Sequence, residues 1–408
     1  MIPVLEHRRI LLGVTGSIAA YKAADLASRL TQAGAQVDVL LTESAQRFVS
    51  ALTFQSVTGR RAYTEADLWG AEAHVLHVGL AHGADLLVIA PATADTLAKL
   101  AQGRADTLLT LTALAATCPL LLAPAMDAGM YGHPATQANL EILRSRGAAI
   151  IGPAEGRMAS GLVGPGRMVE PAELLGHIRL ALGRSGPLAG RRVVVTAGGT
   201  QEPLDPVRAL TNHSSGKQGY ALAQAALDRG AQVTLISAPT ALAAPVGAQV
   251  IPVGTAAQMG EALLPATALA DVLLMAAAVA DFRPARPSEQ KHKRGRGTPA
   301  FELEPTLDLL AQVMEQRGRS ARPQVVVGFA AESQALVQNA RAKLEAKGLS
   351  LVVANDITAL NAGFAADTNQ VTLLHPDGRV EPLPLMSKAE VAEVVLDRVV
   401  ELLRQDEV

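Results

Sequence analysis

Two doubly wound α/β domains in tandem are what this chain of 408 residues predicts. Three observations carry the expectation. Short apolar, β-branched runs alternate with amphipathic helical stretches, the pattern of βαβ units and parallel sheets. The length exceeds what one ordinary core serves, so two domains or more are expected. The sequence also repeats faintly. Ala84-Asp-Leu-Leu-Val-Ile-Ala-Pro-Ala-Thr-Ala-Asp95 resembles Ala270-Asp-Val-Leu-Leu-Met-Ala-Ala-Ala-Val-Ala-Asp281. Gly34-Ala-Gln-Val37 recurs as Gly230-Ala-Gln-Val233, each time between a helical run and a strand. Both domains are therefore read as Rossmann/flavodoxin-like, with a parallel sheet at the centre.

In chain order, a strand over Ile10 to Gly16 turns at Gly16-Ser17-Ile18 into a helix over Ala19 to Ala33. Two glycines and two hydroxyls within Gly13-Val-Thr-Gly-Ser-Ile-Ala19 suit a phosphate on the helix N-terminus, although many doubly wound domains open this way. Thr42-Glu-Ser44 follows the second strand and can donate to a phosphate or a ring; N-capping is the competing role for such hydroxyls. Small residues in Pro91-Ala-Thr-Ala-Asp95, after the next strand, let a flat ring lie close to backbone. The longest uncharged run, Thr107 to Met126, reaches membrane-span length. Its four threonines and two prolines fit a helix followed by a buried strand instead.

Gly183 to Gly190 is rich in turn residues. It divides the chain into domains 1–183 and 191–408, with a linker over 184–190. The second half opens with a strand over Val193 to Gly199. Residues 202–219 then precede a helix over Tyr220 to Arg229. Strand-to-helix turns usually span about 2–6 residues, so this is a long polar turn, an insertion where the first half has a phosphate-binding turn. Doubly wound sheets bind ligands outside the carboxyl ends of their strands. The loops after Val14, Ile89, Leu122, Val195, Met275 and Val327 are thus the expected sites, with Asp95 and Asp281 at equivalent positions.

Composition narrows the function. With 36 basic and 38 acidic residues, net charge −2, nothing electrostatic calls for nucleic acid or an anionic membrane. The short Lys291-His-Lys-Arg-Gly-Arg296 cluster suits a phosphate-binding loop. Aromatic residues, at 3%, are too few for base-stacking platforms or carbohydrate clefts. The single cysteine, Cys118, excludes an intramolecular disulfide and reads as a buried structural thiol in a reducing compartment. Glu6, His7, Arg8 and Arg9 stand where a signal peptide needs an apolar core, so a cytoplasmic location is expected.

The first half resembles the flavin-dependent cysteine decarboxylase family on Gly16-Ser17-Ile18-Ala19, Thr42-Glu43-Ser44, Ala90-Pro91-Ala92-Thr93 and Pro124-Ala125-Met126. The resemblance implies FMN held by Gly16, Ser17, Ile18, Thr42, Ser44, Ala92, Thr93 and Met126, with His77 as catalytic base. His74 and His82 lack the spacing of His77 to Asp85 and read as surface residues. Gly161 to Met168 resembles the family's mobile flap. Two positions depart from the pattern. Asp127 replaces an Asn whose amide donates to the substrate carboxylate; an ionised Asp has no donor and repels like charge. Ser160 replaces the flap cysteine that protonates the ene-thiolate. A serine hydroxyl is a far weaker acid than a thiol of pKa about 8.5, so water or another donor is needed there.

The second half resembles the phosphopantothenate–cysteine ligase family on Pro203-Leu-Asp-Pro-Val-Arg208 and Asn212-His-Ser-Ser-Gly-Lys217. The resemblance implies 4'-phosphopantothenate, cysteine and CTP as substrates. Asn212 would be catalytic, with Arg208, Ser214, Ser215 and Lys217 on the substrate. Met275, Ala276, Ala277, Asp281, Asp308, Phe329, Lys343 and Lys347 would hold the nucleotide, Asp281 also binding Mg²⁺. Lys291 would stabilise the pentavalent phosphorus. Asn355-Asp356 fits the family as well, whereas Leu307-Asp308 replaces its usual Pro-Asp. Resemblance runs from about residue 8 to 400, in the order found in bacterial bifunctional enzymes of coenzyme A synthesis. It implies decarboxylase trimers linked by ligase dimers, compatible with a dodecamer. Two alternatives stay open: a ligase fused to a flavin domain that has lost its chemistry, and a flavin-binding regulatory or interaction protein.

Overall fold

The strands of this chain carry continuous apolar runs because both faces of each sheet are covered. A computed structural model of the protein describes residues 2–69, 75–159, 161–291, 300–332, 334–356 and 366–405. The chain divides into two compact units, Met1–Leu182 and Gly183–Val408.

In the first unit, β1 (Arg9–Val14), β2 (Gln36–Leu41), β3 (Ala62–Tyr63), β4 (Leu86–Ala92), β5 (Leu120–Pro124) and β6 (Ala149–Ile150) form one sheet. Its order is β3-β2-β1-β4-β5-β6, and every pairing is parallel. The helices are α1 (Ala20–Gln32), α2 (Ala51–Thr58), α3 (Leu76–His82), α4 (Ala94–Gln102), α5 (Leu108–Ala115), α6 (Ala128–Gly132), α7 (Pro134–Ser145) and α8 (Pro171–Gly183). Ile10, Leu12 and Val14 join a buried cluster with Leu26 and Leu30 of α1. Leu11 and Ile89 join another with Leu97 of α4, Leu109 of α5 and Leu140 of α7. Successive residues of a strand thus serve opposite faces. A hairpin of β7 (Ala154–Arg157) and β8 (Val163–Arg167) stands outside the sheet.

The second unit repeats the plan. Its strands are β9 (Arg192–Ala197), β10 (Gln201–Asp205), β11 (Arg208–Thr211), β12 (Gln232–Ser237), β13 (Gln249–Pro252), β14 (Val272–Met275), β15 (Phe282–Pro284), β16 (Leu303–Pro305), β17 (Val325–Glu332), β18 (Leu351–Asp356), β19 (Thr368–Asn369), β20 (Val371–Leu374), β21 (Val380–Pro382) and β22 (Met386–Ser387). Helices α9 (Lys217–Asp228), α10 (Ala256–Thr267), α11 (Leu309–Ser320), α12 (Leu336–Lys347) and α13 (Lys388–Gln405) complete it. The main sheet runs β13-β12-β9-β14-β17-β18-β20-β21. Its first six strands are parallel and reproduce the order of the first unit; β20 and β21 extend the edge antiparallel. The repeated words fall on equivalent places, β4 with β14 and the starts of β2 and β12. Reversal of strand order between β1 and β4, and between β9 and β14, opens a crevice at each carboxyl edge.

Three expectations are corrected. Residues 202–219 are not one long turn. Gln201 pairs with Thr211, so β10 and β11 form a hairpin that leaves the sheet edge and returns to it. Asp205 Oδ1 accepts from Val207 N (2.9 Å), closing the tip, and Glu202 Oε1 accepts from Ala256 N (2.8 Å), anchoring the hairpin to α10. Residues 184–190, read as a linker, fall within the second compact unit. Leu188 is fully buried there and its N–H donates to Arg229 O (2.8 Å). Cys118 is half-buried, though burial still pushes its thiol pKa up, away from nucleophile chemistry. Among the described residues no helix is long and apolar enough to cross a membrane.

Candidate active sites

At the crevice of the first unit lies a cavity of about 1210 Å³. Thr15, buried at the end of β1, builds its floor. Its Oγ1 donates to Pro91 O (2.7 Å) and accepts from Thr93 N (3.2 Å), tying β1 to the end of β4. Gly16 follows because a Cβ there would stand 2.4 Å from Ser44 Cβ. That close approach brings Ser17, Ile18, Thr42 and Ser44 onto one wall with the start of α1. Ala19, at the N-cap of α1, offers no side-chain cap; its N–H donates to Ser17 Oγ (3.2 Å), Ala20 N donates to Ser17 O (3.0 Å) and Lys22 N to Ala19 O (3.0 Å).

The hydroxyls divide between roles. Thr93 caps α4 by accepting from Thr96 N (3.4 Å), and Thr42 accepts from Ala45 N (3.2 Å). Ser44 makes no cap bond. Met126 and Asp127 line the opposite wall, where Met126 N donates to Gly166 O (3.0 Å) of the β8 hairpin strand. The Asp127 carboxylate accepts from Gly129 N (2.9 Å) and caps α6.

Several expected residues are not brought to this cavity. Ala92 is fully buried as the last residue of β4, which runs three residues past Ile89, and its carbonyl accepts from Ala125 N (3.0 Å). His77 lies on α3, outside the cavity of its own chain, with Nδ1 buried and unpartnered. Helical spacing to Asp85 could not tell which face His77 takes. His82 is exposed; Ser160 and His74 lie outside the described residues.

Two lining residues carry no sequence signal. Lys22, buried on α1, donates to Met168 O (3.0 Å) and Glu170 Oε1 (2.7 Å), pinning the end of the hairpin. Glu65 accepts from Leu108 N (2.9 Å) through Oε2, while Oε1 is buried and unpartnered. Burial raises its carboxyl pKa.

The second unit holds a cavity of about 820 Å³ at its own crevice. Thr196, buried on β9, ties that strand to the end of β14, its Oγ1 accepting from Ala277 N (3.1 Å). Asn212, Ser214, Ser215 and Lys217 line one side, between the hairpin and α9. Asn212 Nδ2 donates to Val279 O (3.0 Å), and Lys217 Nζ pairs with Asp367 (2.6 Å). Gly216, the N-cap of α9, has φ of +75°, a conformation that suits glycine and leaves the first helical turn without a side-chain cap.

Met275, Ala276, Ala277, Asp281, Asp308, Phe329, Lys343 and Lys347 line the remainder. Lys343 Nζ donates to Phe329 O (2.7 Å), and Lys347 pairs with Asp308, which caps α11. Burial lowers the Lys343 ammonium pKa. For Asp308, burial pulls upward, yet the Lys347 hydrogen bond and the Ala311 N–H hold the carboxyl below its ordinary range. Arg208 and Lys291 do not reach this cavity. Arg208 stays on the hairpin beside Asp205 (3.4 Å), and Lys291 is exposed, its following residues 292–299 lying outside the described residues. Among the described residues no group of three or more His, Cys, Asp or Glu could hold a metal; Asp281 shares the cavity lining with Asp308 and Glu332.

Two doubly wound units, each with a cavity lined by polar residues at its switch point, define a tandem flavoprotein-type enzyme. Residues 4–182 match the family described as Flavoprotein, and residues 188–403 match the DNA/pantothenate metabolism flavoprotein C-terminal domain. The coenzyme A biosynthesis bifunctional protein CoaBC of Bacillus subtilis is 47% identical over 405 residues, covering 98% of this chain and 99% of that one. The protein of the same name from Mycobacterium tuberculosis is 46% identical over 416 residues, covering 98% and 99%. A solved C-terminal domain of CoaBC aligns with 54% of this chain and 100% of its own, at 38% identity and a TM-score of 0.46. The chain belongs to the family of bifunctional coenzyme A biosynthesis proteins, and its first unit is a flavoprotein domain.

Proposed function

We propose that the second unit joins cysteine to 4'-phosphopantothenate with CTP, and that the first unit decarboxylates the product with FMN to give 4'-phosphopantetheine. The observation that carries this reading is full-length kinship with the bifunctional coenzyme A proteins, 47% identity over 98% of the chain.

In the second unit the phosphopantothenate carboxylate attacks the α-phosphorus of CTP. Pyrophosphate leaves, and an acyl cytidylate remains. The cysteine amine then attacks the acyl carbon, CMP leaves, and the amine loses a proton. Lys343 and Lys347 offset nucleotide charge, while Ser214, Ser215, Lys217 and the start of α9 hold substrate anions. Phe329 packs against the base. Asn212, already donating to Val279 O, positions the acyl group for the amine. Asp281 supplies one carboxylate for Mg²⁺, which characteristically takes its remaining ligands from phosphates and water.

In the first unit the start of α1, Ser17, Thr42, Ser44 and Thr93 fit a flavin mononucleotide: small residues at Gly16 for close approach, donors for its phosphate. FMN, when bound, supplies a two-electron acceptor and donor for the cysteinyl group. Asp127 and Met126 face the substrate end. His77, Arg208 and Lys291 lie outside the cavities of their own chain. This supports an assembly of copies, decarboxylase trimers and ligase dimers, that delivers them to neighbouring sites. Exposed Trp69, Val75, Leu114 and Met130 on the first unit, and Val207 and Phe282 on the second, are apolar surface for such contacts.

The test uses two assays on the full chain. Pyrophosphate release must depend on both CTP and 4'-phosphopantothenate, and supplied phosphopantothenoylcysteine must yield carbon dioxide. Pyrophosphate release without carbon dioxide would leave a ligase fused to a silent flavin domain.

A further inference from the structure

The second cavity carries a polar cluster that none of the roles above employs: Gln218, Asn355, Asn369 and Lys388. Residues far apart in sequence meet here through backbone pairing. Gln218 Nε2, on α9, donates to Lys388 O (3.1 Å), at the start of α13. Lys388 N donates to Asp367 O (3.0 Å), and Asn369 pairs with Met386 in the β19–β22 ladder. Asn355 stands opposite Val371 in the β18–β20 ladder, at the carboxyl end of the sheet where ligands gather. Lys388 is 7% exposed and Asn369 4%.

Two acceptors in this cluster are buried without partners, Gln218 Oε1 and Asn355 Oδ1. The Gln218 amide cannot profit from flipping, because its Nε2 would then leave the Lys388 carbonyl and an oxygen would face an oxygen. A buried carbonyl oxygen with no donor is unfavourable until one arrives. The cluster therefore presents a cation and two acceptors together. A phosphate monoester offers no donor to those acceptors and is repelled by them. A zwitterion satisfies both.

We propose that this cluster is the subsite for the amino-acid co-substrate, with Lys388 facing its carboxylate and Gln218 Oε1 and Asn355 Oδ1 receiving its amine. The assignment rests on the ligase reading and deepens it. Carbonyl acceptors hold the amine before and after it loses its proton, when its lone pair becomes available to the acyl carbon. Burial, reinforced by Lys217 and opposed by Asp367, lowers the Lys388 ammonium pKa.

The experiment separates the half-reactions in the full chain. Pyrophosphate release from CTP and 4'-phosphopantothenate is measured without cysteine, then amide formation is followed against cysteine concentration. Lys388→Met and Gln218→Leu are expected to raise the KM for cysteine about tenfold or more, with kcat at saturating cysteine and the first half-reaction little changed. Lys388→Arg, which keeps the charge, should recover part of the affinity. Asn355→Leu, on a different element, is the deciding variant if either substitution also removes the first half-reaction. A raised KM for 4'-phosphopantothenate with unchanged cysteine KM would assign the cluster to the acid and overturn the proposal, as would no change in either. A parent enzyme releasing no pyrophosphate would overturn the ligase reading itself, and the subsite with it.

Discussion

The Asp127 carboxylate accepts a 2.9 Å hydrogen bond from the Gly129 amide and so caps α6 at the wall of the flavin cavity. An acid where the family pattern places an amide is thereby accommodated: Asp and Asn cap equally well. What differs is the cavity side, where Asp lacks a donor for a substrate carboxylate.

Asp127→Asn should therefore leave thermal stability within about 0.5 kcal/mol, as expected for a swap between equivalent caps. The KM for phosphopantothenoylcysteine should fall about five- to tenfold, the worth of one hydrogen bond near 1 kcal/mol. Steady-state carbon dioxide release measures it. An unchanged KM would place the substrate carboxylate elsewhere.

Asn212→Ala removes the amide that donates to Val279 O (3.0 Å) beside the proposed acyl group. Cysteine addition should drop by about 10²-fold or more, in line with loss of one positioned donor, while pyrophosphate release continues. Trapping the acyl cytidylate by mass spectrometry checks this. Normal product turnover by the variant would remove Asn212 from the site.

Lys343 sits with its ammonium on Phe329 O (2.7 Å), and burial lowers its pKa. If the charged form holds the nucleotide, CTP affinity weakens as pH rises through that lowered pKa, below the ordinary lysine value of about 10.4. Lys343→Arg, which stays protonated, should flatten the alkaline limb. Titration calorimetry across pH decides it; identical limbs for both proteins would exclude Lys343.

Asp271, 6% exposed, accepts from Arg192 N (2.8 Å) and from Arg322 (2.6 Å), joining the starts of β9 and β14 to the segment before β17. Burial alone would raise its carboxyl pKa, but these donors hold it below the ordinary range. Its contribution is therefore complete above the unfolded value of about 3.9 and is lost as pH falls through the folded one. Asp271→Asn should cost on the order of 1 kcal/mol at neutral pH, with the gap from the parent closing in acid. A gap independent of pH would show that charge is not what Asp271 contributes.

The repeat at Ala84–Asp95 and Ala270–Asp281 made the strand plan legible, because parallel strands buried on both faces leave continuous apolar words. The carboxyl-edge loops followed, and with them Gly16; Asn212, and Lys343 and Lys347 on α12, were named through the family resemblance. The β10–β11 hairpin was not legible: Pro203 and Pro206 interrupt the alternation by which strands are recognised. Ala92 was misplaced because small residues resemble a loop as much as a strand end. His77, Arg208 and Lys291 show a further limit, since spacing along a chain does not say which cavity a side chain enters. Glu202, Thr15, Gln218 and Lys388 act through partners remote in sequence, and no local pattern announces such pairs.

On the proposed function, one chain performs two successive reactions at two separate cavities. The most direct measurement supplies CTP, 4'-phosphopantothenate and cysteine to the purified full chain with FMN and Mg²⁺, and follows pyrophosphate and carbon dioxide together. Equal amounts of the two, with 4'-phosphopantetheine as product, are predicted. His77→Gln should leave pyrophosphate release intact and stop at phosphopantothenoylcysteine. Pyrophosphate without carbon dioxide in the parent, or undiminished carbon dioxide in His77→Gln, would contradict the account.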